Sequence, residues 1–285
     1  MTMTLPIFTP TPQRTAKPVT KIDSSVFVID DNLAVWRCDP ESGSLDQVAL
    51  PEGVEPVDIC ASPGGLLHVL SDAEGGAEIY KATDKPATDW NRLEVTARLR
   101  RIACGPDGRI WAIDEARGVW VRRVEDGVLE RRAEDDFADE ISVGGDGRVW
   151  VISTEERYSG RVIKWLDGSG GGDWVSMPAP SAAVKLAASP EGVAWSVNSM
   201  GAIWRLHPLG SGNFSECQVD IDCDKCLFGG RRDFAKDIAV DGSGTVWFLG
   251  VKYTDGGYQL MRLADKETRR FQKLPDFGGI KLAAG

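Results

Sequence analysis

Five segments of the chain carry one short pattern, and this repetition limits the fold more than any other feature: ICASPGGLLHVL from Ile59, IACGPDGRIWAI from Ile102, ISVGGDGRVWVI from Ile141, LAASPEGVAWSV from Leu186 and IAVDGSGTVWFL from Ile238. The last residues, LAAG from Leu282, repeat the opening and stop where the turn comes. Each copy reads as a hairpin. An apolar residue alternates with a small one, a tight connection follows, and a second apolar strand resumes with tryptophan in four of the five copies. Pro63, Pro106 and Pro190 preset φ at the second turn position. Gly65, Gly108, Gly147, Gly192 and Gly244 stand where a type I turn with a following bulge needs a left-handed residue.

Two further strands per unit follow in register. The third carries an apolar pair and a base, as in Val35-Trp36-Arg37, Ile79-Tyr80-Lys81, Val162-Ile163-Lys164, Ile203-Trp204-Arg205 and Leu260-Met261-Arg262, with Arg122 displaced by one. The fourth carries a large anchor: Leu45, Trp90, Leu129, Trp174, Phe214 or Phe271. Four short strands per unit predict an all-β, six-bladed propeller. Ser25 to Asp30 match a second strand that lacks its opening strand, and Ile280 to Ala284 supply that strand. Pairing the two ends closes the ring and removes exposed sheet edges. Residues 1–24 read as an extended Pro/Thr-rich tail and residues 25–285 as a single propeller domain. One connection breaks the regular spacing, the insert from Asp220 to Lys236.

Composition removes several function classes. A net charge of −10 disfavours phosphate backbones and anionic lipid, so no nucleic acid partner is expected. The local cluster Arg98, Arg100, Arg101 is followed by acidic residues between 134 and 140. No apolar run approaches the roughly 18 residues that span a bilayer, so no membrane insertion is expected. The first twenty residues lack a signal-peptide core, which favours the cytoplasm or a leaderless route of secretion.

Ile-Ala-Val, a Gly-x-Asp-Gly turn, Val-Trp, then Ile-Trp-Arg and a later Asp-Trp together resemble the tectonin repeat. The best matches are Ile102 to Ile113, Ile141 to Ile152, Ile238 to Leu249, Ile203-Trp204-Arg205 and the pairs Asp89-Trp90 and Asp173-Trp174. His68 and Phe27 depart from it at tryptophan positions. The resemblance implies a six-bladed, non-enzymatic lectin that binds bacterial or cell-surface glycans through several equivalent sites. A protein-interaction or structural adaptor module is the alternative, because tectonin-like domains also serve as such.

Trp111, Trp150, Trp195 and Trp247 lie between apolar neighbours on a central strand, so they are expected to pack between blades; His68, in the same slot, is expected to be a packed core histidine. The ligand-binding candidates are the third-strand bases and their aromatic neighbours: Trp36, Arg37, Lys81, Arg122, Lys164, Trp165, Trp204, Arg205 and Arg262. Each base is alternatively a stem covering an aromatic ring. In the insert, Cys223, Cys226, Phe228, Arg231, Arg232 and Phe234 have the composition of a partner-binding loop. Cys60, Cys104 and Cys217 are expected to be buried thiols; Cys223 and Cys226 read either as loop thiols or as a disulfide or metal clip. Neither metal nor cofactor is expected. No catalytic constellation is apparent; a streptogramin lyase-like enzyme is disfavoured because that enzyme has seven blades and depends on histidine, and the chain has only His68 and His207.

Overall fold

The computed structural model describes residues 25–284 apart from 63, 74–75, 86, 168–171, 179–180, 209–213, 220–234 and 266–269. Among them every regular element is a strand, and the strands form six antiparallel sheets of four. Blade 1 contains Val26–Ile29, Val35–Cys38 and Leu45–Val48, with Lys281–Ala284 as its inner strand. Blade 2 runs Pro56–Ala61, Leu67–Ala73, Gly76–Ala82, Trp90–Leu93, and blade 3 Leu99–Cys104, Ile110–Asp114, Val119–Arg122, Leu129–Arg131. Blade 4 runs Ala138–Val143, Val149–Arg157, Gly160–Leu166, Val175–Ser176. Blade 5 is Lys185–Ala188, Ala194–Val197, Ile203–Pro208, Phe214–Val219, and blade 6 is Asp237–Val240, Val246–Thr254, Gly257–Asp265, Arg270–Gly279.

The ring closes as the two orphan half-patterns require, with Val26 opposite Ala284 and Ile29 opposite Lys281. The inner hairpins have the expected turn: Gly108 donates to the Gly105 carbonyl at 3.1 Å and Gly244 to that of Asp241 at 2.8 Å. The glycine at this position has φ between +76° and +85° in all five copies, a conformation that a Cβ would strain.

Six apolar clusters fill the wedges, each shared by two neighbouring blades. One joins Trp111 and Ile113 of blade 3 to Ile141, Val149 and Val151 of blade 4; another joins Trp195 and Ile203 of blade 5 to Ile238, Val246 and Phe248 of blade 6. Trp150 and Trp247 are completely buried, and Trp111 and Trp195 nearly so. These indoles are the mortar between blades, a consequence of a wedge too wide for aliphatic side chains alone.

The blades alternate in form. In blades 1, 3 and 5 the second and third strands are joined by a short turn closed by Asp30, Asp114 or Asn198. Asp30 Oδ1 accepts from the backbone of Asn32 and Ala34 at 2.9 Å, and Asn198 Oδ1 from Met200 and Ala202 at 3.0 Å. Asp30 and Asp114 also accept from the indole N–H of Trp36 (2.8 Å) and Trp120 (2.7 Å) on the third strand. In blades 2, 4 and 6 the same two strands run on as long hairpins. Those of blades 4 and 6 reach over the next blade: Ser199 donates to the Ser159 carbonyl at 2.9 Å and Asp31 to that of Gly256 at 3.0 Å. The six blades are therefore three pairs.

Candidate functional site

The residue before each opening apolar position faces the axis, and the six alternate in sign around the ring: Asp58, Arg101, Glu140, Lys185, Asp237 and Lys281. Lys185 Nζ lies 2.6 Å from Glu140, Arg101 Nε 3.4 Å from Glu140, and Lys281 Nζ 3.1 Å from Asp58. The two aspartates also tie blades together through the backbone. Asp58 accepts from the Ile102 N–H and Asp237 from the Leu282 N–H, both at 2.9 Å. Burial alone would raise the Glu140 carboxyl; Lys281, Lys185 and Arg101 overcome it and hold the group at about 2. Burial would lower Lys281, but Asp58, Asp237 and Glu140 push it well above an ordinary lysine. Three acids and three bases cancel, so this end of the channel is an internal ion-pair network with no surplus charge to draw in a ligand.

The basic cluster near residue 100 is consumed in the same way. Arg101 belongs to the ring, and Arg100 pairs with Asp139 at 2.8 Å. Asp139 also holds Arg117 at 3.3 Å and Arg161.

The third-strand bases sit in register with the aromatic slot of the second strand. Arg37 opposes Phe27, Lys81 opposes His68, Arg205 opposes Trp195 and Arg262 opposes Trp247. The guanidinium carbons of Arg205 and Arg262 lie 5.6 and 5.9 Å from the facing indole centroids, a cation–π distance. Blade 4 reverses the roles. Trp165 opposes Trp150 there, and Arg148, just before the second strand, lies 5.1 Å over Trp165. Arg122, displaced by one, opposes Ile110 and Leu129. Trp36 is held edge-on to Phe277 at 5.7 Å, and Trp204 opposes Ser196. Most of these candidates are thus engaged within their own blade; two contacts cross the boundary of blades 6 and 1, Trp36 against Phe277 and Arg262 donating to the Pro40 carbonyl.

Lys164 stands apart. It lines a cleft of about 90 Å³ at the boundary of blades 3 and 4 with Trp174, Phe137, Asp136, Ser153 and Glu155. Phe137 is exposed and Trp174 half-buried, with the Arg132 guanidinium 5.0 Å from the Trp174 ring centre. Trp90 and Ser71 occupy the corresponding places at the boundary of blades 1 and 2, where the Trp90 indole donates to the Ala49 carbonyl at 3.0 Å. Spacing could have found this cleft: both indoles belong to the two Asp-Trp pairs of the sequence.

His68 is buried beside Leu66, its Nδ1 3.2 Å from that residue's carbonyl, and burial followed by nearby Lys81 lowers it to about 4. Cys60 and Cys104 are buried, but they are not the free thiols expected: they form a disulfide between blades 2 and 3, with Cα atoms 5.9 Å apart. The two lie far apart in the chain, and the second residue of one inner strand meets the third of the next across the blade boundary. Cys38 is a buried free thiol, raised to about 11 by burial and by Asp39. The partner-loop candidates Cys223, Cys226, Phe228, Arg231, Arg232 and Phe234 lie outside the described residues, as do the side chains of Cys217 and His207.

The tectonin domain family matches residues 72–199, from the long hairpin of blade 2 to the turn of blade 5. The chain is a six-bladed propeller that resembles tectonin domains over that stretch. No curated protein matches this propeller. Its fold is similar to solved structures of three unlike proteins. A streptogramin B lyase is 17% identical with a TM-score of 0.54, over 90% of this chain and 84% of the other. A nidogen/laminin complex gives 10% and 0.64 over 92% and 97%. TolB from Acinetobacter baumannii gives 14% and 0.63 over 92% and 66%. At these identities they speak for the fold alone, and the tectonin repeats mark the propeller as a recognition module. Among the described residues no helix is long and apolar enough to cross a membrane.

Proposed function

We propose that this propeller is a non-enzymatic lectin that binds surface glycans at blade boundaries, with the Trp174 cleft as one site and the Trp90 position as a second. The observation that carries the reading is the set of side chains around Trp174. An indole and the Phe137 ring offer apolar faces to the C–H surface of a sugar, while Ser153, Glu155, Asp136 and Lys164 offer acceptors and donors to its hydroxyls. Two such sites on one rigid ring act together: once one glycan chain is held, the second contact is intramolecular, so weak single sites give tight binding to a glycan-coated surface. A glycan array followed by calorimetric titration tests it. Binding with more than one site per chain is expected, and Trp174→Ala is expected to remove one of them while leaving the melting temperature within a few degrees. A folded protein that binds no glycan on arrays or bacterial surfaces turns the assignment to the adaptor reading.

That second reading has its own observation. The long hairpin of blade 4 ends in a fully exposed Tyr158, and that of blade 6 carries Tyr253, 57% exposed. Exposed tyrosines on projecting hairpins suit contact with a protein, and a pull-down with Tyr158→Ser and Tyr253→Ser against wild type separates the two readings.

A further inference from the structure

The repeats provide their own reference for what each position needs, and three departures from that reference meet at one place. At every blade boundary the second residue of one inner strand faces the third of the next, and the cross-strand partner of that second residue is the aromatic slot. In the other five boundaries these places hold alanine, serine or valine and an aromatic ring: Ala103 with Val143 and Trp111, Ser142 with Ala188 and Trp150, Ala187 with Val240 and Trp195, Ala239 with Ala284 and Trp247, Ala283 with Ala61 and Phe27. Only the boundary of blades 2 and 3 has Cys60, Cys104 and His68. Their ligand atoms lie within 4.8 Å of one another and all three residues are buried. Packing does not call for this set, since sister blades fill the same space with small residues, valine and an aromatic ring.

We propose that the reduced form of this corner is a trigonal site of two sulfurs and one nitrogen for a monovalent copper ion, and that the disulfide is its metal-free, oxidised form. A dithiol donates two electrons and two protons to the Cys60–Cys104 bond and becomes a disulfide itself; copper(I) then displaces two protons from the thiols and is held by two thiolates and the imidazole. Thiolate and imidazole are the ligands that soft copper(I) favours, whereas structural zinc takes four, and three converge here. The Leu66 carbonyl beside His68 Nδ1 marks that nitrogen as the N–H donor and leaves Nε2 its lone pair, the second-sphere arrangement of metal-bound histidines. Copper(I) with two thiolates carries one net negative charge, and Lys81 stands directly opposite His68 to offset it. Access is built in, because Cys104 lines the channel mouth, a cavity of about 290 Å³.

The test reduces the whole chain with a dithiol, removes the reductant anaerobically and titrates copper(I) against the chromophoric chelator bicinchoninate. Wild type should take up one equivalent more than Cys60→Ala/Cys104→Val, which carries the residues of the sister blades, and reduced wild type one more than oxidised wild type. His68→Trp restores the consensus ring; it should still form the disulfide after oxidation yet bind copper at least about tenfold more weakly. X-ray absorption on loaded wild type should report two sulfurs and one nitrogen around the metal, a reading that depends on no variant. Equal uptake by wild type and the double cysteine variant, undiminished affinity in His68→Trp, equal uptake by oxidised and reduced protein, or a shell without nitrogen would each overturn the proposal.

Discussion

Among the acids of the axial ring, Glu140 is the one in contact with three cations: Lys185 at 2.6 Å, Arg101 at 3.4 Å and Lys281 at 4.0 Å. Its carboxyl falls from the ordinary value of 4.5 to about 2 in the fold, so the folded state binds its proton less readily than the unfolded chain. The stability this confers is complete above about pH 4.5 and drains away as the pH falls toward 2, each tenfold difference in proton affinity between the two states being worth about 1.4 kcal/mol. Glu140→Gln should cost about 3–5 kcal/mol at pH 7, since it strands buried cations. Urea midpoints at pH 7, 4 and 3 should show the gap between variant and wild type narrowing with acid; a constant gap would mean that the carboxylate charge does not matter. The residues of this ring were in plain view, each standing just before an opening Ile or Leu. Their pairing was not, because ring neighbours lie a whole blade apart in the chain, and only closure tells which charge meets which. The same stagger hid the meeting of Cys60 with Cys104.

Strands and turns were the most legible level, because a hairpin's turn residues and its alternation are local. The closing strand is the exception, being non-local yet readable, since an unmatched half-pattern at each end has one partner available. Deleting residues 279–285 uncovers Val26–Ile29, buried along its whole length, and removes Lys281 from the ring. Cooperative thermal unfolding should be lost, whereas Lys281→Met alone should lower the melting temperature and keep the transition cooperative. An unchanged melting curve in the truncated chain would contradict closure through this strand. The short turns of blades 1, 3 and 5 make a second test. Asp114 accepts from the Gly118 N–H and the Trp120 indole, both at 2.7 Å, so Asp114→Ala should cost about 1–3 kcal/mol through groups left without acceptors, and chemical denaturation measures it. The cleft was less legible than the strands: Lys164 and the Asp-Trp pairs were visible, but which loop brings Phe137 beside Trp174 depends on how blade 3 hands over to blade 4.

At the scale of the whole ring, acids belong to blades 2, 4 and 6, which have the long hairpins, and bases to blades 1, 3 and 5, which have the short turns. The blade pair is therefore the unit of both shape and charge, and strict alternation needs an even number of blades. An isolated ion pair can exchange its two residues at little cost. A ring cannot, because Glu140→Lys with Lys185→Glu would set a lysine beside Arg101 and Lys281 and a glutamate beside Asp237, replacing three attractions by three repulsions among largely buried groups. The double exchange should therefore melt below wild type, and no higher than the less stable of its two single variants, with net charge unchanged. Thermal melts of the four proteins at low salt decide it. A double variant restored to wild-type stability would reduce the ring to independent pairs, and with it the reason for an even number of blades.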